Sequence, residues 1–149
     1  MRDVLPHVIS GLRSLCLKDK RMLFCIETRV HYYEVPLLEE AVHIVNTLRL
    51  PNLGYWHDVG HTFILERLGF GERESWQRSL SDRCIGTHLH DVDGRLTDHL
   101  PPGQGTLDFK KILREFDAGS LHTLELNARH SLDEVLRGIE ILRDQSGSG

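Results

Sequence analysis

Apolar residues recur along the chain in two alternating rhythms, and that alternation predicts the architecture. Over residues 2–17, Val4, Leu5, Val8, Ile9, Leu12, Leu15 and Cys16 fall three and four apart, the spacing of an amphipathic helix. Asp3 before them and Lys18 and Lys20 after them suit the helix dipole. Met22 to Ile26 is a continuous apolar run of strand length closed by Glu27, which predicts a strand covered on both faces, as in a parallel sheet. Pro36 suits the first turn of a second helix with Leu37, Leu38, Ala41, Val42, Val45 and Leu48 on one stripe.

The same rhythm continues. Asn52 to Asp58 reads as a strand that again ends in a carboxylate, followed by Gly60, His61 and a helical pattern at Phe63, Ile64, Leu65 and Leu68. Glycines at 69 and 71 break it, and a short helix near Trp76 and Leu80 leads to a third strand at Cys84–Ile85. That strand empties into a polar loop with His88, His90, Asp91 and Asp93, crosses Gly94 and Pro101-Pro102, and ends in Gly103-Gln104-Gly105. Thr106 is the expected cap of a helix through Leu107, Ile112, Leu113 and Phe116. Leu121 to Leu126 predicts a fourth strand that includes Glu125, and Ser131-Leu-Asp-Glu134 is a capping box for a last helix through Leu142. The expected organisation is one domain over residues 1–144 and a flexible tail over 145–149.

A helix followed by four strand-and-helix pairs argues for an α/β fold of parallel βα units, and the right-handed crossover rule puts all four strand ends on one side. Glu27, Asp58 with His61, His88 with His90, and Glu125 are then expected to meet at one rim. The inward-facing positions of such a barrel are expected at Phe24, Ile26 and Ile85.

Composition narrows the chemistry. A net charge of -4 gives no general attraction to a phosphate backbone, so a nucleic-acid partner is not indicated. There is no apolar run near the roughly 18–20 residues of a membrane span. Three widely separated cysteines, Cys16, Cys25 and Cys84, suit buried thiols in a reducing cytoplasm, and no leader pattern is read at the start. Ten histidines are the anomaly, several of them beside carboxylates at the ends of apolar runs. Two glutamates, an aspartate and a histidine at separate strand ends make an oxygen-rich ligand set suited to Mn²⁺, Mg²⁺ or Co²⁺, and with more histidine to Zn²⁺.

Taken in order, CIETRVHY with Glu27, HDVGH with Asp58 and His61, HLHD with His88, DHLPPGQG, and LELN with Glu125 resemble the carboxyl half of the xylose isomerase-like TIM barrels. That superfamily holds sugar phosphate isomerases and epimerases together with abasic-site endonucleases. The resemblance implies a single divalent metal on Glu27, Asp58, His88 and Glu125. It implies that Glu27 and Glu125 also move a proton beside the carbonyl of a sugar or sugar phosphate. His61 falls where a substrate-binding or second-metal histidine sits, and His90, Arg95 and Trp56 are further expected substrate contacts. Between His88 and His90 as ligand, His88 is favoured.

Two departures bear on this. The family's usual Gly-Glu-Gly is Gly103-Gln104-Gly105 here, expected to remove a charge near the site, and the family's eight strands are represented by four. The chain is therefore expected to be half of a longer protein or to pair as a homodimer. An endonuclease reading would add His99 to the ligands, but Thr97 and Asp98 depart from what it needs. A non-catalytic half barrel is the third reading. Taken singly, His31, His43, His99, His122 and His130 read as surface or packing histidines, and Arg29 as a structural arginine.

Overall fold

The computed structural model describes residues 3–116 and 119–146. Helix α1 (Leu5–Lys18) is followed by strand β1 (Phe24–Glu27), helix α2 (Leu38–Leu48), strand β2 (Leu53–Asp58), and helices α3 (Val59–Arg67) and α4 (Arg73–Leu80). After a 3-10 turn at Ser81–Arg83 come β3 (Cys84–Leu89), α5 (Phe109–Leu113), β4 (Leu121–Leu124) and α6 (Leu132–Ser146). All four strands are parallel and lie in the order β1-β2-β3-β4, so each consecutive βα unit adds its strand beside the last. This is the α/β arrangement of a (β/α) barrel, with four of the eight strands a closed barrel requires.

One face of the sheet carries the core. Ile26, Leu53 and Tyr55 pack with Ala41, Ile44 and Val45 of α2, Leu65 of α3 and Trp76 of α4, while Leu5 and Cys16 bring α1 onto the same cluster. A second cluster of Val59, Leu89, Phe109 and Ile112 joins β3 to α5. Each fully buried side chain of this size contributes about 1.5–3 kcal/mol.

The expectation that Phe24 and Ile26 face a barrel interior is corrected. Both pack into the helix-side cluster, because strand alternation then sends Cys25 and Glu27 to the opposite face. On that opposite face the pattern continues with Trp56 and Asp58, then Gly86 and His88. The register slips by one residue between Tyr55↔Cys84 and Trp56↔Gly86, and Ile85 sits in the slip against Gly54. The slip sets Asp58 directly opposite His88.

Several local expectations also shift. Helix α2 starts at Leu38, so Pro36, preceded by a cis peptide bond, lies before the helix rather than in its first turn. Glu40 Oε2 there accepts the Leu37 N–H at 2.9 Å. The α5 cap is Asp108, whose Oδ1 accepts the Lys111 N–H at 3.0 Å. Thr106 is drawn away to the loop, where its N–H and hydroxyl both reach the Val92 carbonyl. Strand β4 ends at Leu124, one residue before Glu125. The Ser131–Glu134 capping box forms: Glu134 Oε2 accepts the Ser131 N–H at 2.8 Å. Helix α6 continues to Ser146, past the expected start of the tail at Gln145, and 147–149 lie outside the described residues. Met22 and Leu23 are about half exposed and precede β1 rather than forming it. Cys16 is buried, Cys25 and Cys84 are half-buried, and none of the three is in a disulfide.

Candidate functional site

The ends of the four strands bring Glu27, Asp58, His88 and Glu125 together. Each offers a ligand atom, and these atoms all lie within 4.8 Å of one another. The reason is local in each case. β1 ends on Glu27, β2 ends on Asp58, His88 is the last but one residue of β3, and Glu125 follows β4 directly, its N–H bonded to the Leu89 carbonyl at 3.3 Å.

His88 stands at the centre. Its Nδ1 is 2.9 Å from Glu27 Oε1, 2.9 Å from Glu125 Oε2 and 3.6 Å from Asp58 Oδ2. The Asp58 carboxylate above all, then the hydrogen bond to Glu27 and the charge of Glu125, outweigh burial and push the His88 pKa up to about 9. Burial opposes ionisation of Asp58, but its contacts with His88 and His90 win and hold its pKa below the usual carboxylate range. Three carboxylates around one imidazolium leave the cluster negative by two. Arg29, 3.8 Å from Glu27 and shared with Glu34 at 3.1 Å, offsets this only in part.

These residues fit a divalent cation by an independent observation. Asp58 Oδ2 is buried without a hydrogen-bond partner, and buried Glu125 Oε2 has beside it only the single His88 Nδ1 proton that Glu27 Oε1 also faces. Buried carboxylate oxygens left in this state are costly unless a cation meets them. The donor set of three carboxylates and one imidazole suits a hard or borderline divalent ion.

Asp58 is also the N-cap of α3: its Oδ1 accepts the His61 N–H at 2.7 Å. One turn on, the His61 ring is buried, with Nδ1 2.9 Å from the Thr28 carbonyl. That carbonyl accepts only from an N–H, so Nδ1 carries a proton. His61 Nε2 is buried without a partner. Thr28 is itself tied to the Tyr55 hydroxyl, which lies 3.0 Å from His57 Nδ1 behind the sheet.

The remaining expected site residues separate. Trp56 lies on the cluster's face of the sheet, its ring 5.4 Å from that of His88 at 62°, with Nε1 buried and unpartnered. Arg95 does not join the site: it is exposed in the turn that Asp93 Oδ1 organises through the N–H groups of Arg95 and Thr97. His90 is wholly buried, and both its ring nitrogens are occupied. Nε2 lies 2.9 Å from Asp58 Oδ1, and the His99 N–H donates to Nδ1 at 2.9 Å. It therefore has no surface for substrate. Burial lowers the His90 pKa, but the hydrogen bond and charge of Asp58 raise it more.

His99, taken singly a packing residue but a ligand under the endonuclease reading, is brought to the site by the loop. It stacks on His90 at 4.3 Å and 6°, its ring centroid is 5.5 Å from that of His61, and its Nε2 is 3.7 Å from Glu125 Oε2. The signal that could have found it is the Asp98-His99 pair in DHLPPGQG. The loop that carries it is held by Asp91, a buried carboxylate accepting four backbone N–H groups. Those of Val92 and Leu107 meet Oδ1, and those of Gly103 and Gly105 meet Oδ2, at 2.9–3.0 Å. Gly105 has no room for a Cβ beside that carboxylate.

Comparison with known proteins agrees with this fold. A protein described as uncharacterized protein y4fM, from Sinorhizobium fredii, is 28% identical over 120 residues, covering 79% of this chain and 36% of its own. A D-tagatose 3-epimerase-like protein superimposes with a TM-score of 0.72 at 23% identity, over 95% of this chain and 54% of its own. D-psicose 3-epimerase from Clostridium cellulolyticum H10, solved with D-tagatose, gives 0.71 at 13% identity, over 95% and 56%. The chain thus spans about half the length of these solved structures and about a third of the curated relative. The profile of the xylose isomerase-like TIM barrel matches residues 2–145, and with four parallel βα units in the matching order the chain belongs to that family.

Proposed function

We propose that this protein is a divalent-metal-dependent sugar isomerase or epimerase that moves a proton beside a carbonyl. The observation that carries the reading is the pair Glu27 and Glu125. They arrive from the two outer strands of the sheet, and each places a carboxylate oxygen 2.9 Å from the same His88 nitrogen. Glu27, Asp58, His88 and Glu125 would hold a Mn²⁺, Mg²⁺, Co²⁺ or Zn²⁺ ion, which when bound supplies charge stabilisation at a carbonyl oxygen. The chain's own residues do the rest. One of the two glutamates takes the proton from the carbon beside the carbonyl, and the other returns it from the opposite side. His61 keeps a buried, unpartnered Nε2 on the turn that follows Asp58. Trp56 forms an apolar wall beside His88.

The relatives support the substrate class, since two of the matched structures are named for 3-epimerases of keto sugars. Calorimetric titration with Mn²⁺ and Zn²⁺, together with incubation on a panel of ketohexoses and their phosphates, tests the reading. We expect binding of one ion by the wild type and its loss, with all turnover, in a Glu27→Gln, Glu125→Gln double variant. Equal metal binding by the two proteins overturns it.

A second reading, an abasic-site endonuclease, is favoured by the position of His99 beside His61 and Glu125. Nicking of an abasic duplex by metal-loaded protein would establish it in place of the first.

A further inference from the structure

We infer that His90 is a positioning residue, neither ligand nor substrate contact, which decides which oxygen of Asp58 is presented to the cation. The inference rests on the metal reading above but on different atoms. The nitrogens of His61, His90 and His99 lie within 4.8 Å of one another and could be taken for a cation site of their own. The hydrogen bonds of His90 argue otherwise. A backbone N–H can only donate, so the His99 amide, 2.9 Å from His90 Nδ1, requires a lone pair there. The other neighbour of Nδ1, the Asp91 carbonyl at 3.4 Å, is the longer and weaker contact. In the neutral ring the proton therefore sits on Nε2, which donates to Asp58 Oδ1 at 2.9 Å.

Oδ1 is thus claimed twice, by His90 Nε2–H and by the His61 backbone N–H at 2.7 Å, while Oδ2 is buried with no hydrogen-bond partner, 3.5 Å from His61 Nδ1 and 3.6 Å from His88 Nδ1. Only Oδ2 is left for an ion. The arrangement is set from a distance. Asp91 grips the 103–107 turn, residues 91 and 100 pair through their backbones, and His99, in the left-handed region at φ 55, presents its N–H to His90. Gly60 is what lets α3 approach the ring, since a Cβ there would overlap the His90 imidazole. Groups that orient metal ligands in this way tune affinity nearly as strongly as the ligands themselves.

Two amide variants separate the halves of the device. In His90→Gln the amide nitrogen reaches the place of Nε2 and keeps the donor to Asp58. In His90→Asn the amide oxygen replaces Nδ1 and keeps only the acceptor for His99. Titrating the full chain with Mn²⁺, we expect His90→Gln to bind within about threefold of wild type and His90→Asn to bind about 10–100-fold more weakly. Equal weakening, no weakening, or the reverse order overturns the inference. A wild type that binds no Mn²⁺ overturns the metal reading itself, and with it this role for His90. If either variant fails to fold, long-range ¹H–¹⁵N spectra of the wild-type imidazoles decide: His90 protonated at Nε2 with bare Nδ1 supports the inference, and a proton on Nδ1 overturns it.

Discussion

Gln104 Nε2 donates a hydrogen bond to Glu134 Oε1 at 3.0 Å, linking the turn that carries His99 to the first turn of the last helix. The glutamine therefore points away from the carboxylate cluster, and its replacement of the family's glutamate does not act as a missing charge at the site. Its neutrality matters instead to Glu134, which would meet a like charge at that distance. Gln104→Glu is expected to lower the melting temperature at low ionic strength, with most of the loss recovered at high salt, where charges beyond about 3 Å are screened at 1 M. Thermal melts at the two salt concentrations check this.

Glu134 also makes the helix cap sensitive to acid. The Ser131 N–H and hydroxyl, then Gln104, hold its pKa down at about 2, below an ordinary value of 4.5. A depressed carboxylate stabilises the fold fully above its unfolded value and loses that contribution as pH falls through the folded one. The melting-temperature gap between wild type and Ser131→Ala should accordingly be largest near neutrality and shrink between pH 4.5 and about 2. A gap independent of pH would remove Glu134 from the cap.

Asp91→Ala strips the acceptor from four backbone N–H groups at once in a buried position. The expected loss is on the order of 3 kcal/mol, read as a lowered urea midpoint. Because the 103–107 turn also places His99, Mn²⁺ affinity should fall with it. Asp91→Asn keeps one oxygen acceptor and should lie between alanine and wild type in both measurements.

Proton transfer by Glu27 and Glu125 predicts that a substrate exchanges its α-hydrogen with solvent deuterium during turnover, with mass spectrometry as the readout. Full retention of that hydrogen would favour a hydride shift and reduce both glutamates to ligands.

The sheet is open at β1 and β4 among the described residues, and one face carries no helices. Leu121 on β4 is 59% exposed. Parallel sheets with a bare edge and a bare face tend to associate. We expect the 149-residue chain to form a homodimer in light scattering, unless four preceding βα units complete the barrel in a longer protein. A monodisperse monomer that melts cooperatively at micromolar concentration would contradict this.

What the chain's own order determined is the alternation of helix and strand and the placing of one acidic or imidazole group at each strand end. Both are local: the 3.6 and 2.0 periods are set by each segment's own backbone geometry, and consecutive parallel units bring their ends to one side without further information. That is why the order of the chain groups Glu27, Asp58, His88 and Glu125, and why the Ser131–Glu134 cap is legible in it, its partners being three residues apart. The rest needed tertiary structure because its partners are distant in the chain. A five-residue apolar run does not say which of its alternate positions meets helices, and only the packing puts Phe24 and Ile26 on the helix-covered face. Thr106 and Asp108 are both competent caps, and only the pull of Val92 on Thr106 decides between them. Whether a histidine binds, packs or positions depends on what each ring nitrogen faces. For His90 those partners are Asp58, 32 residues earlier, and His99, nine later, a pairing created by a loop that folds around Asp91.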